Sequence, residues 1–363
     1  MKMFKGGLLM PKIIKDMHCF MAEAERYGFE TKKERIKIYI DFLHCKCRFH
    51  CRRDEYFLLK YYVYRDWYRK YFLTYWQRPH YWAYINKNRL TLSKMFMYGR
   101  LKEYYGRELF ALNEHTAEEF TDFVKKTGKV FVKPDRGSCG LGASVLEYVD
   151  DATCKQKYEE LVKDDMICEE YIRQCKELDE LCPTSINSCR IMTLRDKTET
   201  KVLAATIKMS KGESFVDNMY ANGIGAAVDV KTGVVTTVGR DYEDNVYIYH
   251  PMTGKIIPGI QLPFWQETLY IVKKAHEAFP ESAVLGWDIA FTPDGPIIIE
   301  TNGAPGTKIH QFADKEPKGK PIMDYIAVKS NRVYDLKENN RPNKDPNLQG
   351  YWVKLREENN KKK

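Results

Sequence analysis

The sequence predicts an α+β fold with an α-helical N-terminal extension. No glycine or proline lies between Gly28 and Pro79, and the segment shows mixed polar and apolar faces, which favours helices over short strands. From Gly128 onward the chain changes to short β-rich runs separated by turn residues, interrupted by helical patterns at 151–165 and 263–279. A helical segment is therefore expected to precede a mixed body.

Composition places the chain among soluble globular proteins. Of its 363 residues, 30% are charged and 44% are hydrophobic. No apolar run approaches the ~20 residues of a membrane span, and the basic start lacks the features of a secretory signal. Ten scattered cysteines favour reduced thiols over disulfides. We therefore expect a cytoplasmic protein, and a peripheral position at the inner membrane face stays open.

The order of these patterns predicts three regions. A basic, aromatic-rich helical region covers 1–85, an α+β body covers 86–328, and a polar tail covers 329–363. Helices dominate 13–75, and short helices are expected over 86–127. The predicted strands before the last hairpin are VFVKP, ASVLEYV, MICEEYI, SCRIMTL, VLAATIKM, GAAVDV and VVTTVGR.

Positive charge is concentrated near the N-terminus. Residues 1–100 hold 22 Lys and Arg against 9 Asp and Glu, a net of +13, whereas the whole chain carries +9. Residues 56–84 contain 14 aromatic side chains. An anionic partner such as a polysaccharide, a lipid surface or nucleic acid would explain both features. A solvated helical surface above a packed aromatic core explains them as well.

The glycine-rich stretch at 129–148, KVFVKPDRGSCGLGASVLEY, is a candidate phosphate-binding segment. A P-loop and a dinucleotide-binding turn both need a helix after the glycines, and a P-loop also needs its lysine there. Here Lys133 precedes the glycines and an alternating strand follows them. The pattern predicts a hairpin whose backbone N–H groups close over phosphate, with Lys133 adding charge. An ordinary glycine turn is the alternative.

Residues 285–306, LGWDIAFTPDGPIIIETNGAPG, predict a second hairpin. A three-residue loop at 293–295 brings Asp288 opposite Glu300, and Asn302 then projects on the same face. Two opposed carboxylates and an amide oxygen need a cation, and such hard ligands suit Mg²⁺. A register change of one residue would send Asp288 to the other face. The predicted pairs are Thr292–Pro296, Ala290–Ile298 and Asp288–Glu300.

Two further stretches are weaker candidates. The strand at 166–172 ends in Glu169 and Glu170, which would face an adenine amino group and ribose hydroxyls beside a phosphate site, or would protect a sheet edge. The cluster from His44 to Cys51, HCKCRFHC, suggests zinc. It lacks a second Cys/His pair of the usual spacing, so small buried thiols on a helix are the favoured interpretation.

Three stretches, taken in their order along the chain, resemble the ATP-grasp fold: KPDRGSCGLG, ICEEYI and the Asp…Glu-x-Asn hairpin. Four further stretches resemble more closely its sugar-transfer-associated branch, which is linked to bacterial surface-polysaccharide synthesis. They are PTSINSCRIMTL, ESFVDNMYANGIGAAVD, HPMTG and GWDIAFTPDGPIIIETN. The resemblance covers roughly residues 86–325, and the segment at 56–75 resembles the one preceding the core in that branch. It implies two α+β lobes that hold ATP between them, an N-terminal lobe at 86–175 with a glycine-rich flap and a C-terminal lobe at 176–328.

The resemblance also assigns candidate roles to single residues. The implied ATP-binding residues are Lys87, Lys133, Gly137, Ser138, Gly140, Gly142, Glu169, Glu170, Tyr171 and Ile172, with Lys94 as a competitor of Lys87. The implied magnesium ligands are Asp288, Glu300 and Asn302, and the implied acceptor-side residues are Asp217, Asn218, Gly223, Gly225 and His250. Many ATP-grasp ligases carry an arginine where this chain has Ala304. Arg190 and Lys208 are therefore the catalytic candidates for stabilising the transferring phosphate.

The implied reaction is ADP-forming carboxylate–amine ligation that uses ATP and Mg²⁺. A carboxylate attacks the γ-phosphate to give an acyl phosphate, and an amine then displaces phosphate to form an amide. The expected substrates are a sugar or glycan carboxylate, such as a uronic acid, and a small amine or amino acid in capsule synthesis. The alternatives are a sugar or small-molecule kinase, and a nucleic-acid or membrane-surface binding protein with a degenerate ATP site. The intact motifs disfavour nucleic acid, which leaves an anionic glycan or membrane surface as the expected contact of the basic region.

Overall fold

The computed structural model describes residues 12–86, 93–137, 141–196, 199–212 and 223–329. None of the helices in these ranges combines the length and apolarity needed to cross a membrane. The helices are α1 (Lys12–Arg26), α2 (Lys32–Phe49), α3 (Arg53–Leu58), α4 (Asp66–Arg69), α5 (Arg78–Ile85), α6 (Lys94–Tyr105), α7 (Ala117–Thr127), α8 (Asp151–Leu161), α9 (Lys176–Asp179), α10 (Trp265–Glu277), α11 (Lys308–Asp314) and α12 (Lys320–Lys329). The strands are β1 (Leu109–Ala111), β2 (Lys129–Pro134), β3 (Ser144–Glu147), β4 (Met166–Glu170), β5 (Cys189–Arg195), β6 (Thr200–Met209), β7 (Ile224–Val228), β8 (Gly239–Arg240), β9 (Val246–Tyr247), β10 (Val284–Thr292) and β11 (Gly295–Asn302).

The N-terminal helical region packs around an aromatic core. Phe20, Tyr56, Phe57 and Tyr61 are fully buried there, together with Phe312 of α11, so the region is joined to the C-terminal body. This packing accounts for part of the aromatic run. Helices dominate 13–75, as predicted, but no single helix runs through the segment at 56–75: Lys60 adopts a left-handed conformation with φ of 52°, and the segment divides into α3, a 3₁₀ turn and α4.

Among the described residues, the first sheet has the order β1-β4-β2-β3, with antiparallel pairs throughout. α7 and α8 cover one face, where Val130, Val132 and Cys168 are buried. Because side chains alternate along a strand, Lys133 and Glu169 point to the opposite face. Strand β1 was not predicted, and it pairs directly with β4, the strand that carries Glu169.

The second sheet has the order β11-β10-β5-β6-β7-β8-β9 within the described ranges. α6 and α10 pack on one face around Trp287 and other apolar residues. The opposite face carries Asp288 and Arg190, and α11 lies against it through contacts with β6 and β7. The predicted strand VVTTVGR keeps only Gly239–Arg240 as a strand, because Val234 and Val235 form isolated bridges instead.

Candidate active site

The β10–β11 hairpin carries the predicted magnesium ligands. Asp288 pairs with Glu300, as predicted, but the three-residue loop is wrong, and the predicted pairs Thr292–Pro296 and Ala290–Ile298 do not form. The loop is shorter because Thr292 Oγ1 closes it, donating to the carbonyl oxygen of Gly295 at 2.9 Å. The observed pairs nearest the loop are Thr292–Gly295, Phe291–Pro296, Ala290–Ile297 and Ile289–Ile298.

A β-bulge at Ile299 restores the pairing of Asp288 with Glu300. The register shifts between Asp288 and Ile289, which leaves Ile299 as an extra residue of β11. Ile298 is consequently fully buried in the core opposite Ile289, whereas Glu300, two residues later, lies on the other face of the sheet. The bulge thus allows one strand to supply both a core residue and a site residue.

Asp288 is buried between two cations. Arg190 Nη2 donates to Asp288 Oδ2 at 2.7 Å, Arg190 Nε donates to Oδ1, and Lys208 Nζ lies 3.3 Å from Oδ2. Burial alone would raise the pKa of Asp288, but the charges of Arg190 and Lys208 outweigh it and hold the pKa well below its ordinary value. Asp288 is therefore ionised at neutral pH.

Glu300 and Asn302 form the more open part of this cluster. Glu300 Oε1 accepts from Asn302 Nδ2 at 3.1 Å and lies 3.8 Å from Arg190 Nη2. The Glu300 side chain is 34% exposed. In the described ranges, no group of three His, Cys, Asp or Glu side chains forms a metal cluster. The donor set of two carboxylates and one amide oxygen fits Mg²⁺, which keeps waters and binds substrate phosphates beside few protein ligands.

The first sheet carries a second buried ion cluster. Glu169 accepts from Arg107 Nη2 at 2.7 Å and from Arg107 Nε at 3.1 Å, and Lys133 Nζ donates to its other oxygen. Burial would raise the pKa of Glu169, but the charges of Arg107 and Lys133 hold it below its ordinary value. Lys133 and Glu169 thus lie together on the face of the sheet that points away from α7 and α8.

Arg107 also joins the two sheets. Its Nη1 donates to the carbonyl oxygen of Ile298 at 2.8 Å, and its Nη2 donates to that of Ile299 at 3.2 Å. These are the backbone groups of the β-bulge. One guanidinium therefore connects Glu169 in the first sheet to the feature that places Glu300 in the second.

The glycine-rich stretch forms the predicted hairpin, since β2 and β3 pair antiparallel on either side of it. Gly142 has a φ of +74°, and a Cβ there would lie 3.1 Å from Pro134 Cγ, so this position suits glycine. Lys94 Nζ donates to the carbonyl oxygens of Pro134 at 2.8 Å and Asp135 at 3.1 Å, at the base of the hairpin. Ser138 and Gly140 lie outside the described residues.

A cleft lies between this hairpin and β11. Lys94 and Gly137 line it from one side, Glu300 and Asn302 line it from the other, and Tyr105 lies between them. Burial, and then the nearby charge of Lys133, lower the pKa of Lys94. The structure therefore brings Lys94 to the cleft, whereas its competitor Lys87 lies outside the described residues.

The residues predicted near the adenine lie at the end of β4. Glu170 Oε2 accepts from the backbone N–H of Glu108 at 3.1 Å. Tyr171 packs beneath Lys129, whose Nζ lies 4.3 Å from the ring centre. Ile172 follows β4 and is partly buried. The backbone N–H groups of Glu170 and Tyr171 donate to the carbonyl oxygens of Glu108 at 3.3 Å and Lys129 at 3.4 Å, so side-chain and backbone contacts together hold the end of β4 in place.

The predicted acceptor-side residues divide into three groups. Gly225 lies opposite Lys208 in the β6–β7 ladder, and Gly223 immediately precedes β7. His250 is buried, with its Nε2 donating to the carbonyl oxygen of Ser210 at 2.8 Å, so it supports the loop instead of lining the cleft. Burial would raise the pKa of Cys182, but hydrogen bonds from His250 and other groups lower it to about 6. Asp217 and Asn218 lie outside the described residues.

The candidate zinc cluster does not assemble in the described structure. α2 ends at Phe49, so Cys51 lies beyond the helix instead of one helical turn after Cys47. Cys47 is exposed, whereas Cys51 is buried. His44 Nε2 pairs with Asp66 at 2.8 Å.

Three residues of the site region were missed by the sequence analysis. Arg107 gave no signal, because a lone arginine before a short strand is common. Asn86 is buried and makes hydrogen bonds of 2.7–3.0 Å to the backbone of Ala283, Val284 and Gly303, which fixes the chain beyond Asn302.

His310 is the third missed residue. Its Nδ1 bonds Thr206 Oγ1 at 2.8 Å, and its buried Nε2 has no hydrogen-bond partner among the described residues. Burial, followed by the charge of Arg190, lowers the pKa of His310 to about 3. The helix around it, KIHQFAD, mixes polar and apolar residues, so no pattern in the sequence indicated that His310 would be buried.

The chain matches the model of the sugar-transfer associated ATP-grasp family over residues 86–319, well over half of its length. This match confirms the resemblance and the predicted ATP-grasp fold. No curated protein shows a significant match to the sequence.

Several solved structures are also similar. They include the ATP-grasp ligase PsnB complexed with precursor peptide PsnA2 and AMPPNP, at 14% identity, with 70% of this chain and 62% of that chain covered and a TM-score of 0.43. N5-carboxyaminoimidazole synthase from Aspergillus clavatus has 12% identity, coverage of 68% and 53%, and a TM-score of 0.39. L-amino acid ligase from Bacillus licheniformis has 15% identity, coverage of 59% and 41%, and a TM-score of 0.36. The chain spans less than two thirds of each of these proteins.

Proposed function

We propose that this chain, which belongs to the sugar-transfer associated ATP-grasp family, is an ATP-dependent carboxylate–amine ligase that releases ADP. Its substrates are a sugar carboxylate, such as a uronic acid, and a small amine or amino acid, joined as an amide during surface or capsular polysaccharide synthesis. The reaction takes place in the cytoplasm. Membership of the family supports the sugar and ligase parts of the proposal, and the chemistry of the cleft supports the binding of nucleotide and metal.

The observation that carries the proposal is the composition of the cleft. Lys94 and Gly137 reach it from the glycine-rich hairpin side, and Glu300 and Asn302 reach it from the β10–β11 hairpin. A cation and backbone groups on one wall, with hard oxygen donors on the other, suit a triphosphate bound together with Mg²⁺. The bound metal would supply charge neutralisation between phosphate oxygens.

The chain's own residues would prepare the transfer in two ways. Lys133 and Lys94 place positive charge beside the glycine-rich hairpin, where the phosphates would lie. On the other wall, Arg190 holds Asp288 ionised and oriented, and Lys208 reinforces it. Attack by the substrate carboxylate on the γ-phosphate then gives an acyl phosphate and ADP, and attack by the amine gives the amide and free phosphate.

The reaction can be tested by measuring ADP release over a panel of uronic acids, each offered with and without amines. We expect ADP and free phosphate in equal amounts with a productive pair. Hydroxylamine in place of the amine should convert the acyl phosphate to a hydroxamate. Lys133→Ala should abolish turnover, whereas Lys129→Ala, which removes an exposed lysine on the same strand, should not.

Two other outcomes would each replace the proposal. A phosphorylated sugar formed without free phosphate would identify a kinase. Failure of every carboxylate to stimulate ADP release, together with salt-sensitive binding of oligonucleotides or vesicles, would indicate a binding protein with a degenerate ATP site. The basic N-terminal region is proposed to contact an anionic glycan or a membrane surface, and nucleic acid is not expected as a partner.

A further inference from the structure

Helix α2 carries two apolar stripes on opposite faces. One stripe is buried in the aromatic core of the N-terminal region, and the other is exposed. Positions that are three, four or seven residues apart share a helix face, so each set forms a continuous stripe. The buried set is Ile38, Phe42, Cys45 and Phe49, and the exposed set is Ile36, Ile40, Leu43 and Cys47.

The exposed stripe is not explained by the packing of the fold. Ile40 is 63% exposed, and Ile36 and Leu43 are 42% and 40% exposed. Single exposed apolar side chains are ordinary, but a row of them along one helix face is a surface that excludes water when it is covered. We call this surface, made of Ile36, Ile40, Leu43 and Cys47, the α2 ridge.

Positive charge borders the α2 ridge on both sides. On a helical wheel, Lys33, Lys37 and Arg48 follow one edge, and Lys32 and Lys46 follow the other. All five are exposed. The acids of α2 turn away from the ridge: Glu34 accepts from Thr31 at the helix start, and Asp41 accepts from Arg69 at 2.8 Å on the buried side.

One acid from a neighbouring helix reaches the end of this border. Asp66 of α4 pairs with His44 at 2.8 Å and lies 3.6 Å from Arg48. Trp67, the residue that follows Asp66 in α4, is 67% exposed. Asp66 therefore neutralises one end of the border only.

We propose that the α2 ridge docks onto an anionic lipid bilayer, with its apolar row at the boundary between headgroups and acyl chains. A basic amphipathic helix with an apolar stripe suits this position, because lysine stems cover apolar surface while their ammonium groups reach the headgroups. A second copy of this chain fits less well, since its ridge would bring like charges together. An acidic partner protein would need a groove for this convex row, and the charge alone does not favour it.

The charge of the whole region agrees with this assignment. Residues 1–100 carry a net charge of +13, which attracts the chain toward an anionic surface before the apolar row makes contact. The inference does not depend on the reaction proposed above, because no residue of α2 lines the cleft among the residues that the structure describes.

The test is co-sedimentation of the full chain with vesicles of phosphatidylcholine, with or without phosphatidylglycerol. We expect binding to the anionic vesicles only, weakening steeply when sodium chloride is raised. The double variant Ile36→Glu/Ile40→Glu should lower affinity by at least about tenfold, and Lys33→Glu/Lys37→Glu should do the same, since each lysine near such a surface contributes about fivefold. Thermal unfolding should match that of the unmodified chain, which shows that the variants fold.

Matched controls lie on α10. Tyr270→Glu replaces another apolar side chain that is 61% exposed, and Lys273→Glu reverses another exposed charge; both should bind as the unmodified chain does. Equal binding to neutral and anionic vesicles, or unchanged binding by the α2 variants, would overturn the proposal. The proposal would also be overturned if the chain bound no vesicles but associated with itself, and if this self-association disappeared in Ile36→Glu/Ile40→Glu. The α2 ridge would then be an interface between copies of the chain.

Discussion

The two lobes carry similar ion clusters with different surroundings. In the first sheet, Glu169 lies between Arg107 and Lys133, and all three are buried. In the second, Asp288 lies between Arg190 and Lys208, but Glu300 stands opposite it and reaches the cleft. The first cluster has two cations and one carboxylate, whereas the second has two of each.

This difference distinguishes carboxylates that stabilise the fold from a carboxylate that a ligand can reach. In both clusters the buried carboxylate uses its two oxygens on cations, so it is held by the fold, and its removal would leave two uncompensated charges. A second carboxylate across the hairpin adds an oxygen set that is still accessible. Both buried carboxylates thus stabilise the fold, and Glu300 gives the second lobe an accessible oxygen ligand that the first cluster lacks.

The variant Glu300→Gln tests whether the second cluster binds a ligand, and it should have the largest effect. We expect turnover to fall by about a thousandfold, because one of the two carboxylates that would hold the metal is lost. The melting temperature should change little, since the side chain is one-third exposed. ADP release and thermal unfolding measure both effects, with Glu147→Gln, an exposed acid on β3, as the control. Full activity of Glu300→Gln would show that the second cluster is structural as well.

Glu169→Gln addresses the first cluster. It leaves Arg107 and Lys133 buried without a compensating charge, which should lower the free energy of unfolding by about 3–5 kcal/mol. Denaturant titration measures the loss. Glu147→Gln removes only a surface partner of Lys129 and should cost less than about 1 kcal/mol. An equally small loss for Glu169→Gln would mean that the buried cluster contributes nothing to the fold.

Acid should destabilise the protein through both clusters. Glu169 and Asp288 have pKa values below their ordinary ones in the folded chain. Their ionised forms therefore stabilise the fold at pH values above about 4, and this contribution is lost as the pH falls through the folded-state values. Denaturant titrations between pH 7 and pH 3 should show a shallower decline for Glu169→Gln than for the unmodified chain. A parallel decline would contradict the assignment.

Arg107→Lys should give the smallest change. The charge beside Glu169 is kept, but the planar group that also reaches the carbonyls of Ile298 and Ile299 is lost. We expect about 1–2 kcal/mol of lost stability and a higher magnesium concentration at half-maximal ADP release. Arg100→Lys, at a partly exposed arginine on α6, is the control. An unchanged magnesium requirement would show that Arg107 serves the first lobe alone.

The hairpin shows what the sequence can predict. Alternation and turn chemistry place Asp288 opposite Glu300, because the number of residues between them decides which faces they share. The number of residues between Asp288 and Glu300 does not tell whether the extra residue lies in the loop, as predicted, or in the strand, where it forms the β-bulge. The isoleucine run at 297–299, which does not alternate, was the sign that it lies in the strand.

Contacts between distant segments were beyond sequence reasoning. Arg107 and Asn86 make their contacts only when the chain after α6 and α5 lies against β10 and β11. A single sequence does not show which distant segments lie close together in the fold. The two stripes of α2 were visible as apolar residues, but only burial shows which stripe faces the core. Local patterns thus predicted elements and ligand types, whereas tertiary packing decides which charges meet.

The β-bulge at Ile299 has a thermodynamic consequence. The carbonyl groups of Ile298 and Ile299 accept hydrogen bonds from the guanidinium that holds Glu169, so a ligand that shifts Arg107 would also act on the strand that positions Glu300. Linkage is reciprocal: any factor by which nucleotide tightens metal binding is the factor by which metal tightens nucleotide binding. Deleting Ile299 would keep Asp288 opposite Glu300 in a regular ladder and remove one of the two carbonyl groups that Arg107 contacts, which should weaken any such coupling.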